Sequence, residues 1–223
     1  MLKVVAILFA FSGIAAAQGS VQMDVGVRGG VFLNGYVQPS PCSGVGCFLS
    51  SQDSLTNSVR GTVGLAVGTV INDRIDVRFE VIRWNFGDET RSDRTYPELH
   101  FVSTTRGHAW EYPLLLAYRF GHGASRPFAG GGMGIAGSAS YTRNTQSTSV
   151  IPPVTTTTST SASFTSSSRA LYVFGGLNIR TRHLSIRPEL RYRHFDERYR
   201  AGDIVNPHQF EFVIGLSVPF DIK

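Results

Sequence analysis

The clearest two-residue alternation in the chain runs from His108 to Phe120. Trp110, Tyr112, Leu114, Leu116, Tyr118 and Phe120 fall on one face, and Ala109, Glu111, Pro113, Leu115, Ala117 and Arg119 on the other. The final segment repeats the arrangement, with Phe210, Phe212, Ile214, Leu216, Val218 and Phe220 opposite Glu211, Val213, Gly215, Ser217 and Pro219. Aromatic rings at both ends of an aliphatic middle suit a strand face in contact with lipid, because such rings settle at the two membrane interfaces. Weaker alternation marks four more strands: Met23 to Val31, Thr62 to Gly68, Ile75 to Val81, and Leu184 to Arg193. Two Gly-rich segments, Pro127 to Gly137 and Ala170 to Arg180, bring the predicted count to eight.

The connections alternate in length. Ile71 to Arg74, Gly121 to Ser125 and Thr181 to His183 are tight, whereas Asn34 to Asn57, Gly87 to Gly107, Ser138 to Ser168 and Asp196 to Pro207 are long. Short turns on one side and long loops on the other, with an even strand count, predict an all-β, eight-stranded antiparallel up-and-down transmembrane β-barrel with both termini in the periplasm. The third long loop holds Thr155 to Thr158 in a Ser/Thr-rich tract. Its apolar content is too low to offset ordering entropy, so mobility is expected there, with an adhesive tip as the sharper alternative. If the apolar faces pointed inward instead, the fold would be a soluble ligand-binding barrel.

The first residues break that tie. Lys3, an apolar run from Val4 through Ile14, then Ala15-Ala16-Ala17 before Gln18 have the order of a secretory signal peptide. Residues 1–17 are read as the signal, and 18–223 as one barrel domain. The run is shorter than the roughly 20 residues of a helical anchor, which is the lesser alternative. Export bears on charge too: a net +5 points to lipopolysaccharide or other surface polyanions, with no nucleic-acid partner expected. The two cysteines, Cys42 and Cys47, lie in PSPCSGVGC. In an oxidising compartment they are expected to form a local disulfide; a metal site would need further ligands nearby, and none is in sequence reach.

With the apolar faces toward lipid, the interior receives Asp24, Arg28, Arg60, Asp76, Arg78, Glu80, Glu111, Arg119, Arg187, Glu189, Arg191, Arg193 and Glu211. Charges removed from bulk water persist only when paired or hydrated, so an ion-pair network filling a narrow lumen is expected, with a charge-lined conduit as the alternative. Gly132-Met133-Gly134-Ile135-Ala136-Gly137 matches the spacing of a dinucleotide-binding loop. No helix signal follows it, and small residues there are expected to make room for bulky neighbours. His100, His108, His122, His194 and His208 have no metal-ligand spacing. Arg91, Arg94, Arg106, Arg198 and Arg200, with Tyr96 and Tyr199, fall in the long loops. They are read either as phosphate ligands or as solvated charge. No catalytic residue, metal or cofactor is assigned.

Four segments carry a family resemblance: Glu111 to Phe120, Arg126-Pro127-Phe128-Ala129-Gly130-Gly131-Gly132, Arg187 to Tyr192, and Gly215 to Phe220. On these the chain resembles the OmpA/OmpX-like outer-membrane β-barrel family, without a peptidoglycan-binding domain. The resemblance implies an outer-membrane location and a C-terminal assembly signal carried by Gly215, Val218 and Phe220, read by the barrel-assembly machinery. Val213 stands where a polar residue is usual, and Asp221-Ile222-Lys223 follow the closing aromatic. The expected function is non-enzymatic: a monomeric structural or surface-interaction protein in contact with outer-membrane lipid and lipopolysaccharide, with four extracellular loops open to a surface ligand. A small porin or lipid channel is the alternative. A lipid A deacylase is a third reading, resting only on His183-Leu184-Ser185, which is similar to that family's His-x-Ser.

Overall fold

The computed structural model describes residues 21–33, 50–57, 61–95, 98–150, 153–165, 169–196 and 208–222. The signal segment 1–17, Cys42, Cys47 and Arg60 lie outside the described residues. The described residues form ten strands: β1 (Val21–Phe32), β2 (Ser50–Asn57), β3 (Gly61–Ile71), β4 (Ile75–Thr95), β5 (Glu98–Arg119), β6 (Ser125–Val150), β7 (Pro153–Thr165), β8 (Arg169–Arg180), β9 (Ser185–Phe195) and β10 (His208–Ile222).

Eight of them close a ring in the order β1-β3-β4-β5-β6-β8-β9-β10, with β10 paired back to β1. All of these pairings are antiparallel. Closure satisfies the backbone groups that an open edge would expose to lipid, which is why strands can cross a bilayer in this form. The face assignment is inside-out relative to a soluble barrel. Leu65 and Val173 are each 62% exposed on the outer wall, whereas Glu80 and Arg193 are fully buried. At the short-turn end, Asn72 and Asp73 have φ of 51° and 59° between Ile71 and Arg74, whose N–H donates to the Ile71 carbonyl at 3.1 Å. Two positive φ angles match the right-handed twist of the flanking strands, and Asn and Asp tolerate them better than most side chains do.

The long connections depart from expectation. Gly87 to Gly107 is not a loop: β4 and β5 stay paired from Ile75↔Tyr118 to Thr95↔Glu98. The Ser/Thr tract is likewise a hairpin arm, with β6 and β7 in unbroken register from Ser138↔Thr165 to Val150↔Pro153. Within Asn34 to Asn57, the described part is β2, paired to β4. Together β2-β4-β5-β6-β7 form a five-stranded sheet that rises from one side of the barrel mouth, while β1, β3, β8 and β9 stop near the rim. The physical reason is that the barrel has already brought these strands into register, so each further residue adds ladder bonds without a new loop closure. Threonine favours the extended backbone, and cross-strand hydroxyl pairs add support, such as Thr142 with Ser161 at 3.2 Å and Ser159 donating to Asn144 at 2.7 Å.

Candidate functional site: a filled lumen beneath a projecting sheet

Twelve of the thirteen charged residues assigned to the interior are described, and all are buried. They comprise six arginines (Arg28, Arg78, Arg119, Arg187, Arg191, Arg193) and six carboxylates (Asp24, Asp76, Glu80, Glu111, Glu189, Glu211). The ring order sets β4 and β9 on opposite sides of the barrel. Three rungs join them across the lumen: Asp76 with Arg187, Arg78 with Glu189 at 2.9 Å, and Glu80 with Arg191 at 3.0 Å. Arg28 on β1 adds contacts to Glu80 at 2.9 Å and Glu189 at 3.5 Å. Glu80 and Glu189 are thus each held by three arginines, since Arg78 also reaches Glu80 at 2.7 Å and Arg191 reaches Glu189 at 2.8 Å.

Two further groups flank this centre. Near the short-turn end, Arg119 binds Asp76 at 2.9 Å and lies 3.9 Å from Asp24. Toward the end from which the sheet projects, Arg193 binds Glu111 at 2.7 Å and donates to Gln209 at 2.6 Å, while Thr62 donates to Glu211. Taking paired charges into a low-dielectric interior costs several kcal/mol per ion, so the sharing of Asp76, Glu80 and Glu189 among two or three arginines each is what makes the centre of the arrangement tolerable. Eight-stranded barrels have an interior just wide enough for side chains to fill. A void of about 10 Å³ between Asp24, Arg28, Arg187 and Ser217 has room for about one water.

Sequence reasoning missed the aromatic share of this filling. Trp84, Phe32, Phe128, Tyr172, Phe174 and Phe195 all point inward and are buried. Guanidinium groups stack on these rings: Arg187 lies 4.3 Å from the Phe128 centroid, Arg193 4.6 Å from Phe32, and Arg191 5.5 Å from Tyr172. Such stacking is worth about 0.5–2 kcal/mol and satisfies guanidinium faces that hydrogen bonds do not reach. The signal lay in the glycines of the neighbouring strand. A Cβ on Gly134 would stand 3.0 Å from the Tyr172 ring, so this position is kept empty to admit it. The dinucleotide-like run Gly132 to Gly137 lies within strand β6, with no strand-to-helix turn.

The remaining candidates separate. Ser185 points inward, buried, and donates to the Asn178 side-chain oxygen, while His183 is exposed in the turn before β9, off the alternating strand. Gly215, Val218 and Phe220 lie on β10, with Val218 and Phe220 exposed on the outer wall. His108 sits beside Ser140, and His194 stacks on His208 with centroids 4.7 Å apart. Among the described residues no three His, Cys, Asp or Glu side chains are placed to hold a metal. Of the loop arginines and tyrosines, Arg106 is described and exposed; the side chains of Arg91, Arg94, Tyr96, Arg198, Tyr199 and Arg200 lie outside the described residues.

The fold has solved counterparts. The chain is similar to the outer membrane protein OprG from Pseudomonas aeruginosa at 11% identity and TM-score 0.52, covering 92% of this chain and 98% of that one. It also matches the N-terminal β-barrel domain of Pseudomonas aeruginosa OprF at 10% identity and TM-score 0.42, covering 91% of this chain and 100% of that one. A third match is Ail, the attachment invasion locus protein of Yersinia pestis, at 11% identity and TM-score 0.43, covering 91% and 99%. At such identities the likeness speaks to fold alone. No curated protein matches the sequence. The family model for the outer membrane protein beta-barrel domain matches residues 4–220, and with an apolar outer wall, a charged interior and an eight-stranded closed ring, the chain belongs to that family and to the bacterial outer membrane.

Proposed function

We propose that the protein is a non-enzymatic surface protein, in which the barrel is a closed anchor and the sheet β2-β4-β5-β6-β7 is the part that meets partners outside the cell. The observation that carries this reading is the set of three ion-pair rungs joining opposite walls of the lumen. A conduit would need a continuous water path along the same axis. The Ser185 hydroxyl is committed to Asn178, which leaves the His-x-Ser triplet without a free nucleophile. Delivery by the barrel-assembly machinery through Gly215, Val218 and Phe220, and a monomeric state, belong to the same proposal.

The test is conductance of the folded, purified protein in planar bilayers. We expect no discrete channel steps. Regular steps of ion-channel size in the wild type would overturn the closed-anchor reading and favour the small porin.

A further inference from the structure

Antiparallel register places three rows of side chains on the outer wall where β4, β5, β6 and β7 leave the membrane: Arg83 beside Trp110, then Asn85-His108-Ser140-Ser163, then Arg106-Thr142-Ser161. These positions continue the lipid-facing side of β5, on which Trp110, Tyr112, Leu114, Leu116 and Tyr118 lie below. From Tyr118 to Trp110 is eight residues, about 26 Å along a strand and about 20 Å along the membrane normal at ordinary tilt, which nearly spans the apolar band of a barrel. His108 and Arg106 therefore stand about 5–10 Å above the outer aromatic girdle, at the depth of lipid headgroups.

A groove of about 350 Å³ opens at this height, lined by Arg106, His108, Ser140, Thr142, Ser161 and Ser163. Its volume falls within the range of small-ligand sites, about 300–1,000 Å³. Its lining is suited to an anion. Arg106 is exposed, and the groove's lining holds no carboxylate. The Ser140 hydroxyl lies 3.2 Å from His108 Nε2, and the hydroxyls of Ser161 and Ser163 are exposed on the edge strand. Below, Arg83 stacks over Trp110 at 6.0 Å, a second outward cation at the girdle.

We propose that this groove is a binding site for the phosphate of an outer-leaflet glycolipid, with Arg106 as the charged donor, the hydroxyls as neutral donors, and the acyl chains lying along the apolar wall beneath. The site goes beyond the surface-ligand reading, because it faces the membrane plane and not the medium. Lipid is chosen over a soluble anion because the groove opens onto the same face as the lipid-exposed Leu114 and Leu116.

The experiment is native mass spectrometry of the full-length folded protein titrated with bis-phosphorylated lipid A, with dephosphorylated lipid A and inorganic phosphate as separate arms. A charge-assisted hydrogen bond is worth about 1.5–3 kcal/mol, so Arg106→Gln should weaken binding of the phosphorylated lipid by about tenfold or more. Affinity for the dephosphorylated lipid should not change. Ser161→Glu, an exposed substitution that leaves the barrel wall intact, should weaken the same arm by placing a carboxylate in the groove. Equal binding of phosphorylated lipid A by wild type and both variants would overturn the site. Displacement of the lipid by millimolar inorganic phosphate would overturn the lipid assignment in favour of a soluble anion.

Discussion

Strands β4, β5 and β6 each pass through two regions that obey different rules. Within the barrel their side chains alternate between Leu114, Leu116 or Val77 on the outside and Glu111, Arg119 or Glu80 on the inside. Above the rim the same strands run through Thr104, Asn144, Gln146 and Thr148 with no such contrast. The lower region separates hydrocarbon from a charged interior, so every second residue is specified. The upper region meets a similar medium on both faces, and what it needs is a backbone ladder with residues that favour extension. One strand can therefore be tightly constrained over half its length and permissive over the rest.

This contrast can be broken from the interior first. Replacing Glu189 with Ala leaves Arg28, Arg78 and Arg191 sharing one fewer carboxylate in a buried site. Loss of one partner from a buried ionic group costs about 3–5 kcal/mol, to be read as a lowered urea midpoint for the barrel folded in vesicles. The outer wall is next. Leu65→Arg on the lipid face should cost about 2–4 kcal/mol in the same assay, whereas Thr157→Arg on the exposed arm of β7 should change the midpoint by less than about 0.5 kcal/mol. The smallest effect is expected for Ser159→Ala, which removes the hydrogen bond to Asn144 at an exposed site; a loss above about 1 kcal/mol would mean that the projecting sheet is coupled to the barrel more tightly than its composition implies.

What the sequence disclosed follows the same division. Trp110 to Phe120 and Phe210 to Phe220 were readable because their two faces meet different surroundings. The projecting arms of β4 to β7 were not, since polar residues on both faces carry no periodic signal, and the low apolar content of the Ser/Thr tract points to mobility where the structure has a paired hairpin arm. Tyr172 and Phe174 escaped notice because they alternate with Leu171 and Val173, so both faces of β8 look apolar. The charged interior was identifiable residue by residue, but its pairing was hidden, because nothing local marks β4 and β9 as opposite walls.

Those opposite walls carry complementary spelling. Asp76, Arg78 and Glu80 rise along β4 in the order minus, plus, minus, and Arg187, Glu189 and Arg191 rise along β9 as plus, minus, plus. If either strand slid by two residues, each side chain would keep its inward direction, and Asp76 would face Glu189 while Arg78 faced Arg191. A slip of that size is invisible to the lipid-facing pattern, which repeats every two residues. The lumen charges thus act as a key for the closure itself: they distinguish the one stagger at which the eight strands meet from its near neighbours, a discrimination that the apolar wall alone has no means to make.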